Sequence, residues 1–94
     1  MNTFSLPVKI THSEAELVLK RFKESLKALT APELKTFVVD ASDLKEFNSS
    51  ALALLLAFKR QLQSKGLSME VTHLPAQLHN LAKVYGVDMF LKLA

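Results

Sequence analysis

The chain has 94 residues, of which 49% are hydrophobic and 22% charged, so it fits one domain and is not disordered throughout. The absence of cysteine excludes a disulfide scaffold and thiolate metal sites, and the presence of only two glycines excludes Gly-rich phosphate loops. The net charge of +3 permits contact with acidic surfaces without requiring it.

The N-terminal residues 1–7 lack the basic region and apolar run of a secretory signal peptide. The longest apolar run, residues 51–58, is eight residues long, whereas a bilayer span needs about 20. We therefore expect a cytoplasmic protein that reaches a membrane only through a partner.

The first two predicted elements are a strand and a helix. Over residues 3–11 apolar and polar side chains alternate, which is typical of a half-buried strand, and Pro7 predicts an edge or a bend there. Ser13 and Glu16 form a capping box at the start of a helix with an apolar stripe. That helix should end near Thr30, because a proline follows two residues later.

A buried strand, a loop and a second helix follow. The short apolar run at residues 37–39 predicts a central strand covered on both faces, and residues 41–47 read as a loop. The second helix begins at Ser49 or Ser50 and runs to Lys65, where Gly66 provides a left-handed C-cap.

The remaining sequence predicts a strand, a helix and a short last strand. Side chains alternate over residues 67–73, helical spacing runs from Pro75 to Gly86, and alternation returns at residues 89–93. This order predicts an α/β class fold over residues 1–94, as a single domain. We expect a small mixed, mostly parallel sheet of about four strands, covered by three or four helices. Right-handed crossovers would place consecutive helices on one side.

The second helix is unusually apolar. At about 100° per residue, the eight apolar side chains of residues 51–58 cover the whole helix circumference. A helix that lies on a sheet needs an apolar stripe only roughly 100° wide. Either neighbouring helices cover the far side or a partner protein docks there, and the sequence leaves both interpretations open.

Three polar residues precede that run. Asn48, Ser49 and Ser50 are all residues that cap helix N-termini, so simple capping explains them. A phosphate on either serine would also be tolerated, because the helix dipole favours negative charge at its N-terminus. Such a phosphate would change docking on the adjacent apolar face.

Residues 37–42 (Phe-Val-Val-Asp-Ala-Ser) and 47–56 (Phe-Asn-Ser-Ser-Ala-Leu-Ala-Leu-Leu-Leu) resemble the core of STAS domains. These domains of sulfate transporters and anti-sigma factor antagonists have a strand ending in Asp, a loop, and Asp-Ser-Ser-Gly or Asp-Thr-Gly-Gly at the start of an apolar helix. Residues 81–87 continue the resemblance. Asn48 replaces the family's usual Asp, and Ala51 replaces its usual Gly.

Within this STAS family, the chain is most similar to the MlaB type, small cytosolic subunits of Mla phospholipid-transport ABC systems. The resemblance implies a non-catalytic protein, without a cofactor, that binds and supports an MlaF-like ABC transporter ATPase subunit. It would then be cytoplasmic and peripheral to the inner membrane through that complex. We expect the partner-binding residues to be those at the start and on the exposed face of the second helix: Asn48, Ser49, Ser50, Ala51, Leu52 and Leu55.

The alternative within the family is an anti-sigma factor antagonist regulated by serine phosphorylation, whose partner would be an anti-sigma factor kinase. Ser49 matches the functional threonine of the MlaB type, and Ser50 matches the phosphorylated serine of the antagonists. These two serines are therefore the candidate phosphorylation sites.

Other functional classes are less favoured by the sequence. A hydrolase triad of Ser49 or Ser50, a histidine (His73 or His79) and Asp40 lacks a nucleophile elbow, and nothing in the sequence brings these residues together. The histidines show no metal-ligand spacing. The basic side chains of the first helix lack the stacking aromatics of a nucleic-acid site and are interpreted as a solvated face: Lys20, Arg21, Lys23 and Lys27.

Overall fold

The structure, a computed structural model, describes residues 3–28, 35–89 and 91. Within these ranges the chain forms five short strands and three helices. The strands are β1 (Thr3–Ser5), β2 (Lys9–Ile10), β3 (Thr36–Asp40), β4 (Glu46–Phe47) and β5 (Ser68–Thr72). The helices are α1 (His12–Lys27), α2 (Ser49–Gln63) and α3 (Ala76–Val84).

The strands form two small parallel sheets. The larger has the order β1-β3-β5, and its register places Phe4 beside Val39 and Val39 beside Val71. The smaller pairs β2 with β4, also in parallel. The predicted small α/β fold with mostly parallel strands is confirmed, although its strands are divided between two sheets.

The division occurs at Pro7, where a bend was predicted. The first strand becomes two short ones, β1 and β2, because proline has no N–H with which to continue a ladder. The N–H of Leu6 still donates to the carbonyl of Asp40, at 2.8 Å, and the carbonyl of Val8 accepts from Lys45 and Glu46. The chain therefore leaves one sheet at the proline and enters the other immediately afterwards.

Four phenylalanines join α1 and α2 to the same face of the larger sheet. The rings of Phe22 and Phe58 stack with centroids 3.8 Å apart, and the edge of Phe4 meets both of them. Phe37 of the central strand packs edge-on against Phe22, at 5.4 Å. The helices therefore lie on one side of the sheet, as predicted, and this aromatic cluster is the centre of the core.

The central position of β3 is confirmed, but the prediction that both its faces are covered was wrong. Phe37 and Val39 are buried under the helices, whereas Val38 on the opposite face is only half-buried. The register places Val38 between Thr3 and Glu70, which are both exposed. The apolar run indicated cover on both faces, whereas the right-handed crossovers place α1 and α2 on the same side.

The start of α1 corrects the predicted capping box of Ser13 and Glu16. Thr11 is the N-cap instead. The backbone N–H of Thr11, at 2.8 Å, and the hydroxyl of Thr11 both donate hydrogen bonds to Oε1 of Glu14. The side-chain hydrogen bond, followed by the backbone one, lowers the pKa of Glu14 below its ordinary value. The helix therefore begins directly after β2, which ends at Ile10.

The ends of two other predicted elements also differ. α1 ends at Lys27 rather than near Thr30, which lies outside the described residues together with the rest of the range 29–34. The predicted strand at residues 89–93 is not seen at its described positions, because Met89 and Leu91 lie in turns. Its remaining residues lie outside the described part of the chain.

Candidate functional site

The apolar run of α2 is mostly part of the core. Ala51, Leu52 and Leu55 are 1%, 3% and 1% exposed, so the expectation that they form an accessible partner-binding face was wrong. α1 packs on one flank of α2, α3 packs against it as well, and the sheet lies beneath. Buried side chains of the neighbouring helices complete this cover: Val18, Phe22, Leu26, Leu78 and Ala82.

The N-terminus of α2 is nevertheless accessible. Asn48 and Ser49 are exposed, and Ser50 is half-buried. Of the three possible capping residues, Asn48 caps the helix, because its side-chain oxygen accepts a hydrogen bond from the N–H of Ser50, at 2.8 Å. Since Asn48 provides the cap, the hydroxyl of Ser49 is not needed for it and makes no hydrogen bond to any described residue.

A groove between α1 and α2 begins beside this N-terminus. It has a volume of about 300 Å³ and a mainly apolar lining. We define the α1–α2 groove by six residues: Ala15 and Leu19 of α1, and Ser50, Ala53, Leu54 and Ala57 of α2. His12 and Glu16 of α1 also line it.

The sequence interpretation missed this groove, although a signal for it was present. Within the leucine-rich run, alanines stand at positions 53 and 57, four residues apart and hence on one face of the helix. Ala53 is exposed and Ala57 half-buried, whereas the leucines at positions 52, 54 and 55 are buried. The small residues thus mark the outward side of α2.

A second polar cluster lies at the carboxyl end of the larger sheet. The carboxylate of Asp40 accepts hydrogen bonds from the N–H and hydroxyl of Ser42, at 3.0 and 3.1 Å. It also meets Nδ1 of His73, at 3.2 Å, and the hydroxyl of Thr72, at 3.4 Å. His73 adopts a left-handed backbone conformation, with φ of 57°.

This cluster bears on the hydrolase interpretation. The fold does bring Asp40 and His73 together, which was not expected from the sequence. Neither Ser49 nor Ser50, however, hydrogen-bonds to a histidine anywhere in the described ranges, and neither lines the cleft beside His73. In the described part of the chain, Asp40 therefore orients His73, but neither of the two proposed nucleophiles is hydrogen-bonded to that histidine.

Asp40 also makes stability depend on pH. The hydrogen bond from the N–H of Ser42 is the largest influence that lowers the pKa of this carboxyl below its ordinary value of 3.8. A lowered pKa stabilises the fold above the unfolded-state pKa, and this stabilisation is lost as pH falls through the folded-state value.

We expect Asp40→Asn to be less stable than the wild type at pH 7, because the amide carries no charge. The difference should shrink as pH falls from 3.8 through the lower pKa of the folded state, where the wild-type carboxyl takes up a proton and loses its charge. Urea denaturation of both proteins at several pH values measures this difference in the free energy of unfolding. Asp43→Asn is the control, since Asp43 is exposed and makes no hydrogen bond within the described ranges. A difference that is constant from pH 7 to pH 2 would contradict the prediction.

Within residues 3–28, 35–89 and 91, no group of three or more acidic or histidine side chains is placed to hold a metal ion. No helix in this part of the chain has the length and apolar character required to cross a membrane.

A protein-family model described as "Mlab, STAS domain" matches residues 9–93, which include all three helices, the N-terminus of α2 and the α1–α2 groove. A search of curated proteins found no match to the chain.

Proposed function

Because the chain belongs to the MlaB-type STAS domain family, we propose that it is a non-catalytic subunit of an Mla-type phospholipid-transport ABC system. In this role it binds the ATPase subunit of the transporter and supports its activity, and thus the maintenance of outer-membrane lipid asymmetry. Contact with the inner membrane is then indirect, through the ATPase. STAS domains are generally regulatory or interaction domains, which supports a function without catalysis.

The observation that carries the proposal is the exposed N-terminus of α2. Asn48 caps the helix and leaves the neighbouring Ser49 exposed and without a hydrogen bond to any described residue. The family resemblance singles out this end of the helix for partner binding. The buried Leu52 and Leu55 hold it against the core from below, so they position the contact surface rather than form it.

We expect Ser49→Glu to weaken binding of the ATPase subunit at least tenfold while the domain stays folded. An acidic side chain in the first turn of a helix interacts favourably with the helix dipole, so the monomer tolerates it. The same charge buried without a partner in an interface is unfavourable. The test is the affinity of the purified domain for the purified ATPase subunit encoded in the same genome.

Ser68→Glu is the matched control, because Ser68 is exposed at the start of β5, remote in sequence from α2's N-terminus. It should bind as the wild type does. Equal affinities of the Ser49→Glu variant and the wild type would contradict the proposed contact surface. Stoichiometric phosphate on Ser50 of the native protein, together with a kinase-type partner in place of the ATPase, would instead support the anti-sigma factor antagonist.

A further inference from the structure

The α1–α2 groove is long enough along α2 to hold part of another helix. From Ser50 to Ala57 it extends about 10 Å along α2, or two helical turns. Ala15, Ala53 and Ala57 line it, and such small side chains let another helix approach to an interaxial distance of about 8 Å. Large apolar side chains at i, i+3 or i+4 and i+7 of an incoming helix would fill it.

The charges beside the groove are mainly positive. Lys20 and Lys23 lie in an adjoining depression that shares Glu16 and Leu19 with the groove. Both lysines are exposed, and neither forms an ion pair with any residue that the structure describes. Of the α2 residues that line the groove, Ala53 is exposed and uncharged. The exposed Glu16 offsets one of the two positive lysine charges, so the surface beside the groove keeps a net positive charge and is complementary to acidic groups.

We infer that the α1–α2 groove binds an amphipathic helix of the ATPase subunit. The apolar side chains of that helix lie in the groove, and acidic side chains on its flank lie beside Lys20 and Lys23. This inference rests on the proposed function, since the helix belongs to the same partner. It goes further by defining the chemistry of the partner segment and by adding α1 to the contact surface.

The first test fills the groove. In Ala53→Trp an indole occupies space that the incoming helix needs, and the exposed position tolerates the larger side chain. We expect at least a tenfold loss of affinity for the purified ATPase subunit. Gln63→Trp is the matched control, because Gln63 is exposed near the other end of α2 and does not line the groove. It should bind as the wild type does.

The second test reverses the charges. Lys20→Glu combined with Lys23→Glu should weaken binding at least tenfold at low salt, and the loss should shrink as salt screens the charges. The control is Arg21→Glu combined with Lys65→Glu, which makes the same change in net charge and should bind as the wild type does. Arg21 points away from the groove, since it lies two residues, or about 200°, from Leu19.

Carbodiimide cross-linking of the wild-type complex identifies the bound segment, because it joins lysines to carboxylates that touch them. We expect Lys20 or Lys23 to be joined to an acidic residue of an amphipathic helix in the ATPase.

The outcomes separate the inference from the proposed function. If the wild type binds the ATPase and Ser49→Glu weakens binding, but Ala53→Trp and the lysine variant behave like their controls, only the inference is overturned. Cross-links from these lysines to a segment that is not helical would overturn it as well. If the wild-type domain does not bind the ATPase at all, the proposed function fails, and the inference fails with it.

Discussion

Leu52→Asp is expected to unfold the domain. Leu52 is 3% exposed, and truncation of a buried leucine alone costs about 2–5 kcal/mol. The introduced carboxylate adds the cost of burying a charge without a partner, so the total approaches the roughly 5–15 kcal/mol that stabilises a typical domain. Circular dichroism and thermal denaturation of the purified variant measure this outcome.

Ala53→Asp is the matched control for this substitution. It introduces the same charge one residue further along α2, at an exposed position, and should change stability by about 0.5 kcal/mol or less. A folded Leu52→Asp variant with the wild-type melting temperature would show that residue 52 is not buried. If the variant unfolds as expected, its failure to bind the ATPase says nothing about the interface.

Phe58→Ala is the second substitution with a large expected effect. The Phe58 ring is fully buried, stacks on Phe22 and meets the edge of Phe4, so its removal leaves a cavity among both helices and the sheet. We expect a loss of about 3–5 kcal/mol in the free energy of unfolding. In a domain of this size each kcal/mol lowers the melting temperature by about 4–8 °C, so Tm should fall by at least about 12 °C.

Leu17→Ala provides the comparison for Phe58→Ala. Leu17 is a large apolar residue that is 54% exposed, and its truncation should change the free energy of unfolding by about 0.5 kcal/mol or less. Urea denaturation of both variants gives the two values under the same conditions. Similar losses for both substitutions would contradict the aromatic cluster as the centre of the core.

Much of the fold could be predicted because it depends on neighbours along the chain. The alternating order of strands and helices follows from hydrophobic periodicity, and the start of α2 follows from the capping side chain of Asn48. The break at Pro7 follows from the missing N–H of proline. The cap of α1 was predicted two residues too late, because Thr11 with Glu14 and Ser13 with Glu16 fit the same pattern.

The candidate site depended more on tertiary structure. The sequence indicated the N-terminus of α2 and its serines, and the structure leaves Ser49 exposed there. The sequence could not indicate that Leu52 and Leu55 are buried, because the apolar run shows how much surface must be covered but not which elements cover it. The pairing of Asp40 with His73 likewise joins residues 33 positions apart.

The sequence by itself thus determined the order of the elements, the segment that caps α2 and the family resemblance, because each is contained in short segments of the chain. Only the tertiary structure decided which side of α2 is covered, which face of β3 stays open, and that α1 and α2 leave a groove between them. The physical reason is that burial is a property of pairs of elements. Two helices placed on the same side of a parallel sheet bury the leucines between them and expose the alanines that face outward.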